Sequence, residues 1–219
     1  MMIKRRWRCI DKIKVMLVED DIEWQRGICD FLGGHPQIEI VCCVSSRKEC
    51  QTALQNTAID VVLMDIMLGE QSGTGLDAAL DIAYEHLAVK VIMLSSVDYD
   101  DEVFYEAFLS GAYDFVYKND FEQLPNVIAE SLENKTSKYG SRLRKLVFDK
   151  KKELLTPHDS ELLRLIGQGR TQQEISQMNS VSLAAVKKQV GRLLEKFNWS
   201  GSSKELADKC LKWGLLDKP

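Results

Sequence analysis

The chain has 219 residues, 45% of them hydrophobic and 28% charged, enough for one large or two small domains with cores of their own. Its formal charge of −4 conceals opposite halves: residues 1–134 hold 11 Lys and Arg against 24 Asp and Glu, while residues 135–219 hold 18 against 9. That asymmetry points to an acidic and a basic module with different partners; no run of about 18 apolar residues offers a transmembrane helix, and six cysteines without CxxC spacing plus three scattered histidines give no zinc pattern.

The opening MMIKRRWRCIDKIKVMLVEDD is basic, but the apolar run Val15–Val18 is too short for a signal peptide and ends in three acids, so a cytoplasmic protein with free thiols is expected. Residues 1–11 read equally as a basic arm or a start-site artefact. From there, short β-branched runs alternate with stretches of helical spacing. Strands are predicted over 13–18, 37–43, 60–64, 90–94 and 114–117, and helices over 22–32, 46–56, 76–87, 100–110 and 121–133, with Pro125 in the first turn of the last. A five-fold βα alternation predicts a parallel sheet covered on both faces, and VMLV, VVLM and VIML are continuously apolar, as doubly buried strands require. Residues 135–152 read as a linker passing into a helix near Ser141. The rest is all-helical over 157–166, 171–177, 182–197 and 203–213, giving domains at 12–134 and 153–219.

In an open parallel sheet, ligands bind at the carboxyl ends of the strands. Those ends carry Glu19, Asp20 and Asp21 after the first strand, Asp65 after the third, Ser95 and Ser96 after the fourth and Lys118 after the fifth. With a flavodoxin-like strand order, the first and third strands are neighbours and Glu19, Asp20 and Asp65 crowd together. Each such pair repels by about 4 kcal/mol at ~4 Å and an effective dielectric near 20, which a hard divalent cation and Lys118 would relieve. A carboxylate beside Mg²⁺, an ammonium and a hydroxyl suits phosphoryl acceptance, where alignment and charge neutralisation carry the catalysis. Singly, each residue is ordinary: a turn acid, a surface lysine, a serine. The Gly73-Thr74-Gly75 run reads as a loop feeding a helix, and vicinal Cys42-Cys43 as strand packing.

The segments LVEDD, DVVLMD, VIMLSS and GAYDFVYK resemble the phosphoacceptor receiver domain of two-component response regulators over about residues 12–134. The resemblance implies Asp65 as phosphoacceptor, with Mg²⁺ held by Glu19, Asp20, Asp65 and the main-chain carbonyl of Met67. It further implies Ser95 and Lys118 as phosphoryl-gripping groups, and Ser95 with Phe115 as the conformational switch. After the phosphoacceptor, the loop LGEQSGTG is about two residues longer than common. Apolar Met67 and Val97 stand where the family tunes hydrolysis of the acyl phosphate, so slow self-dephosphorylation rather than enzymatic turnover is expected.

In the basic half, Thr156-Pro157 opens a helix that Gly167-Gln168-Gly169 ends, and a helix from Thr171, a turn at 179–181 and a longer helix from Ser182 make a helix-turn-helix. Lys187, Lys188, Gln189, Arg192 and Lys196 on the last of these are candidates for contact with double-stranded DNA in a major groove. About residues 155–216 resemble the NarL/LuxR-type DNA-binding domain in the Leu-Thr-Pro opening, Glu174-Ile175, Val186-Lys187 and the GLL ending, with Ala185 and Gln189 replacing the usual threonine and histidine.

Together the expectation is a five-stranded, doubly wound α/β receiver followed by a four-helix all-α domain. It would take a phosphoryl group from a cognate histidine kinase, form a homodimer on phosphorylation and bind DNA, with no membrane partner. An aspartyl-phosphate hydrolase needs a second acid where Met67 stands. The remaining alternative is a phosphorylation-independent DNA-binding or scaffold protein that keeps the first domain only for dimerisation.

Overall fold

The computed structural model describes residues 12–69, 75–96, 101–134, 137 and 140–216. The expectations for residues 1–11, for Gly73-Thr74 and for Val97 fall outside these. The chain divides into two compact units, residues 1–144 and 145–219.

In the first unit the elements are β1 (Ile13–Val18), α1 (Ile22–Gly33), β2 (Ile38–Val44), α2 (Arg47–Asn56), β3 (Val61–Asp65), α3 (Gly75–Glu85), β4 (Lys90–Ser95), α4 (Asp101–Leu109), β5 (Asp114–Tyr117) and α5 (Leu124–Glu133). All pairings are parallel and the strand order is β2-β1-β3-β4-β5, as the alternation predicts. Every residue of β3 is buried, which accounts for its uninterrupted apolar run before Asp65. One face of the sheet packs Ile28 and Leu32 of α1 and Leu124 and Ile128 of α5 against Val15, Leu17, Leu63 and Ile92. The other packs Cys50, Leu76, Ile82 and Ala107 against Met16, Val62, Met64 and Met93. Each buried Leu or Ile contributes about 1.5–3 kcal/mol of transfer free energy.

Boundaries move by a residue or two from expectation, with one larger difference. The predicted helix over 121–133 begins as a 3-10 segment over Lys118–Gln123, and the α-helix starts only at Leu124. Asp120, at φ −106 and ψ 23, breaks the helical path, and Pro125 then occupies the first turn, where its missing N–H removes no hydrogen bond. At the other end of this region Gly111 takes φ +94 with no room for a Cβ, which would lie 2.3 Å from Ala83 Cβ.

The division between units falls within α6 (Gly140–Glu153), in the segment read as a linker passing into a helix. The second unit continues with α7 (Pro157–Gly167), α8 (Gln172–Met178), α9 (Leu183–Lys196) and α10 (Ser203–Lys212), the predicted four helices. Thr156, Thr171 and Ser202 each close a capping box, with Asp159, Glu174 and Glu205 as reciprocal partners. Leu163, Ile175, Val190, Leu193, Leu206 and Trp213 are among the residues that fill the interior.

Candidate functional site

Strand adjacency builds the acidic pocket. Because β1 and β3 pair, with Val18 opposite Met64, the residues that follow them emerge together. Oxygen atoms of Glu19, Asp20 and Asp65 all lie within 4.8 Å of one another. Lys118, one residue past β5, reaches between them, its Nζ 2.6 Å from Glu19 Oε2 and 3.3 Å from Asp65 Oδ1. Glu19, Asp65 and Lys118 are all buried, whereas Asp20 is exposed.

Burial pushes the Glu19 and Asp65 carboxyls above their usual range, with the charge of Asp65 adding to the effect at Glu19 and that of Asp20 at Asp65, against the pull of Lys118. For Lys118, burial works against the charged form but is outweighed by the hydrogen bond to Glu19 and the charges of Asp65 and Glu19, so its pKa stands above the ordinary lysine value. Three carboxylates and one ammonium leave two negative charges, the complement of a divalent cation. Glu19 Oε2 is buried, and its partner is the Lys118 ammonium. A hard, all-oxygen donor set of three clustered carboxylates with this excess charge fits Mg²⁺, which favours such ligands and retains water in its remaining positions.

Side chains that the motifs do not reveal hold this pocket in place. Asp21 caps α1, accepting the N–H groups of Glu23 and Trp24, so it is turned to the helix rather than the pocket. Gln25 Nε2 donates to the Glu19 carbonyl, the Glu19 N–H donates to the Val44 carbonyl at 3.0 Å, and the Gly69 N–H donates to Asp20 Oδ2 at 3.1 Å. The ring of Trp24 lies 5.4 Å beneath Lys118 Nζ, a cation–π contact. Gly75 is tighter than a loop glycine: its N–H donates to the Ile66 carbonyl at 2.7 Å, and a Cβ there would stand 1.8 Å from the Asp65 carbonyl oxygen. Only glycine lets α3 start against the main chain that presents Asp65. The run Gly73-Thr74-Gly75 contained that signal, but spacing alone does not reveal which atom approaches.

Of the other expected residues, Ser95 ends β4, fully buried, with its hydroxyl donating to the Ser96 carbonyl at 2.8 Å. The structure therefore gathers Glu19, Asp20, Asp65 and Lys118, and turns Ser95 to its neighbour's main chain. Phe115 is half-buried in β5, edge-on to Phe104 at 5.0 Å and to Tyr117 at 5.3 Å. Met67 is 51% exposed, two residues past Asp65, and Leu68 beside it is fully buried, anchoring that turn.

In the second unit α8 and α9 flank a turn in which Ser180 takes φ +54, and Ser182 caps α9. Val186, Val190 and Leu193 are buried, and Lys187, Lys188 and Arg192 are exposed and make no ion pair among the described residues. The other two candidates point elsewhere. Lys196 Nζ donates to Asp159 Oδ2 at 2.7 Å and to the Leu154 carbonyl at 3.1 Å, and Gln189 Nε2 donates to Asp159 Oδ1 at 3.3 Å. Asp159 thus engages both, which leaves Lys187, Lys188 and Arg192 as the basic side chains of α9 exposed and without an ion pair among the described residues. Burial raises the Asp159 carboxyl, but its hydrogen bonds from Lys196, Thr156 and Gln189 prevail and hold it down at about 2.

With this geometry established, comparison with known proteins places the chain. Residues 15–129 match the response regulator receiver domain. The response regulator protein VraR of Staphylococcus epidermidis is 29% identical over 190 residues, covering 84% of this chain and 90% of its own. VraR of Staphylococcus aureus is likewise 29% identical, over 194 residues. Among solved structures, the Salmonella typhimurium RcsB response regulator superposes with TM-score 0.55 at 18% identity over 91% of this chain and 98% of its own. An RcsB–DNA complex gives TM-score 0.54 at 19% identity over 92% and 99%. These likenesses extend the shared fold through the helical unit.

Proposed function

We propose, from the premise that this chain belongs to the response regulator receiver domain family, that it is a cytoplasmic two-component transcription regulator switched by phosphorylation of Asp65. The observation that carries this reading is one ammonium, Lys118, bridging Glu19 and Asp65 within a cluster of three carboxylates. Glu19, Asp20, Asp65 and the Met67 carbonyl would hold Mg²⁺, which supplies charge neutralisation at the transferred phosphoryl group. An Asp65 carboxylate oxygen attacks phosphorus of the kinase phosphohistidine, the P–N bond breaks, and the imidazole nitrogen leaves with the bonding electrons. Lys118 would pair with the added charge, a role supported by its contacts with Trp24 and Glu19 beside Asp65. The Ser95 hydroxyl would exchange its Ser96 partner for a phosphoryl oxygen, and Phe115 would repack against Phe104 in response. Such a rearrangement favours a homodimer, which presents two copies of α9 to two half-sites of duplex DNA. RcsB, a protein of the same fold solved in complex with DNA, supports DNA as the second partner.

Incubation with Mg²⁺ and acetyl phosphate followed by intact mass measurement tests the reading. One addition of about 80 Da is expected in the native chain, and none in Asp65→Asn. A native chain that gains no mass leaves the phosphorylation-independent scaffold as the better account.

A further inference from the structure

Cys29 of α1 and Cys43 of β2 bring their sulfur atoms to 3.0 Å. That is about 1 Å longer than a disulfide bond and within reach of side-chain rotation. An irregularity in β2 creates the approach. Val15 pairs with Ile40 but Met16 with Cys42, so β2 gains one residue relative to β1. Ile38 and Ile40 pack on the α1 side of the sheet, and unbroken alternation would send Cys42 there next. Instead Cys42 and Val44 pack on the opposite side, and Cys43, paired with Leu17, turns to α1. On α1, Cys29 follows the buried Ile28 and is half-buried, while Cys43 is exposed. Small solutes reach both.

We propose that Cys29 and Cys43 are a modification site, an oxidisable dithiol that closes to an intramolecular disulfide when a peroxide reaches it. The two thiols share one contact in which either sulfur can donate, so each has the other beside it as a resolving partner. Either sulfur can attack; in one order it is Cys29. Its thiolate attacks one peroxide oxygen, the O–O bond breaks, and the leaving hydroxide takes up the thiol proton as water, leaving a sulfenic acid on Cys29. Cys43 sulfur attacks that sulfur, the S–O bond breaks, and the second hydroxide leaves as water with the Cys43 proton. Two thiols are oxidised by two electrons in all and one peroxide is reduced to two waters. Cys50 and Cys210 are buried, and burial pushes their thiols up to about 12. The new bond ties together the same two elements whose Gln25 and Val44 hold the main chain of Glu19. A transient bond of this kind suits a reducing compartment, where protein disulfides serve sensing rather than structure.

The experiment treats the full-length chain with hydrogen peroxide near neutral pH, then measures intact mass and maps alkylated peptides. The expected result is a loss of about 2 Da, a linked Cys29–Cys43 peptide pair, and full reversal by dithiothreitol. Cys29→Ser and Cys43→Ser should each abolish the loss, and Cys42→Ser should leave it. Linkage of Cys43 to Cys42 or to any other cysteine overturns the proposal, as does a native chain in which Cys29 and Cys43 stay fully alkylatable or only oxidise singly. The peptide map of the native chain decides the matter without any variant. It makes no use of Asp65, so its failure is separate from failure of the phosphorylation reading.

Discussion

Replacing Asp159 with alanine should loosen the helical unit, and its size follows from two independent routes. Asp159 is 6% exposed and its carboxylate accepts from the Thr156 N–H at 3.2 Å, from Lys196 Nζ at 2.7 Å and from Gln189 Nε2 at 3.3 Å. The capping half of this set is worth about 1 kcal/mol and the charged bond to Lys196 about 1–2 kcal/mol, trimmed by solvent because Lys196 is 39% exposed. The second route is linkage. The carboxyl sits at about 2 instead of 3.8, and a separation of nearly two units at 1.36 kcal/mol each gives about 2 kcal/mol. Because the folded-state value is depressed, that stabilisation is complete above pH ~4 and is lost as pH falls through about 2. Hydrogen exchange of α9 and α10 amides is the suitable assay, since it reads this unit without requiring the whole chain to unfold as one. Protection at neutral pH should fall about thirtyfold in Asp159→Ala, the equivalent of ~2 kcal/mol. A change under about twofold, or a loss of protection equally large near pH 2, would refute the reasoning.

Two further outcomes follow from the geometry. Gly75→Ala should drive α3 off the Asp65 main chain, lowering stability by about 1–3 kcal/mol in urea titration and abolishing acetyl phosphate labelling; an unchanged midpoint would contradict the contact. Lys188→Gln and Arg192→Gln should each weaken duplex binding and flatten its salt dependence by about one unit in log–log slope, while Lys196→Gln should act mainly on stability; equal slopes in all three would reject this division of roles.

The architecture was legible wherever one physical demand dominates. Doubly buried strands must be apolar throughout, so β1, β3 and β4 were visible as runs, and the acids after β1 and β3 were visible because they interrupt those runs. Local breaks were harder. Phe121 and Pro125 look like the start of one helix, yet the path turns at Asp120 first, and a 3-10 segment has no apolar period of its own. The irregularity in β2 leaves no mark either, since Val41, Cys42 and Cys43 suit both faces, so the spacing of the two thiols emerged only from the pairing register. On α9, spacing identified a basic helix, but not that Asp159, on α7, claims Gln189 and Lys196. Partners distant in sequence are where periodicity falls silent.

The shared lysine has a consequence for how the pocket is loaded. Because Lys118 already tethers Glu19 and Asp65, the site is partly neutralised from within and can persist without a guest. Admission of a divalent ion is therefore an exchange of partners: the ammonium must loosen its hold on the oxygens the ion takes. The affinity observed for any cation is the difference between two attractions, and the strength of the internal tether sets the concentration at which the protein becomes competent.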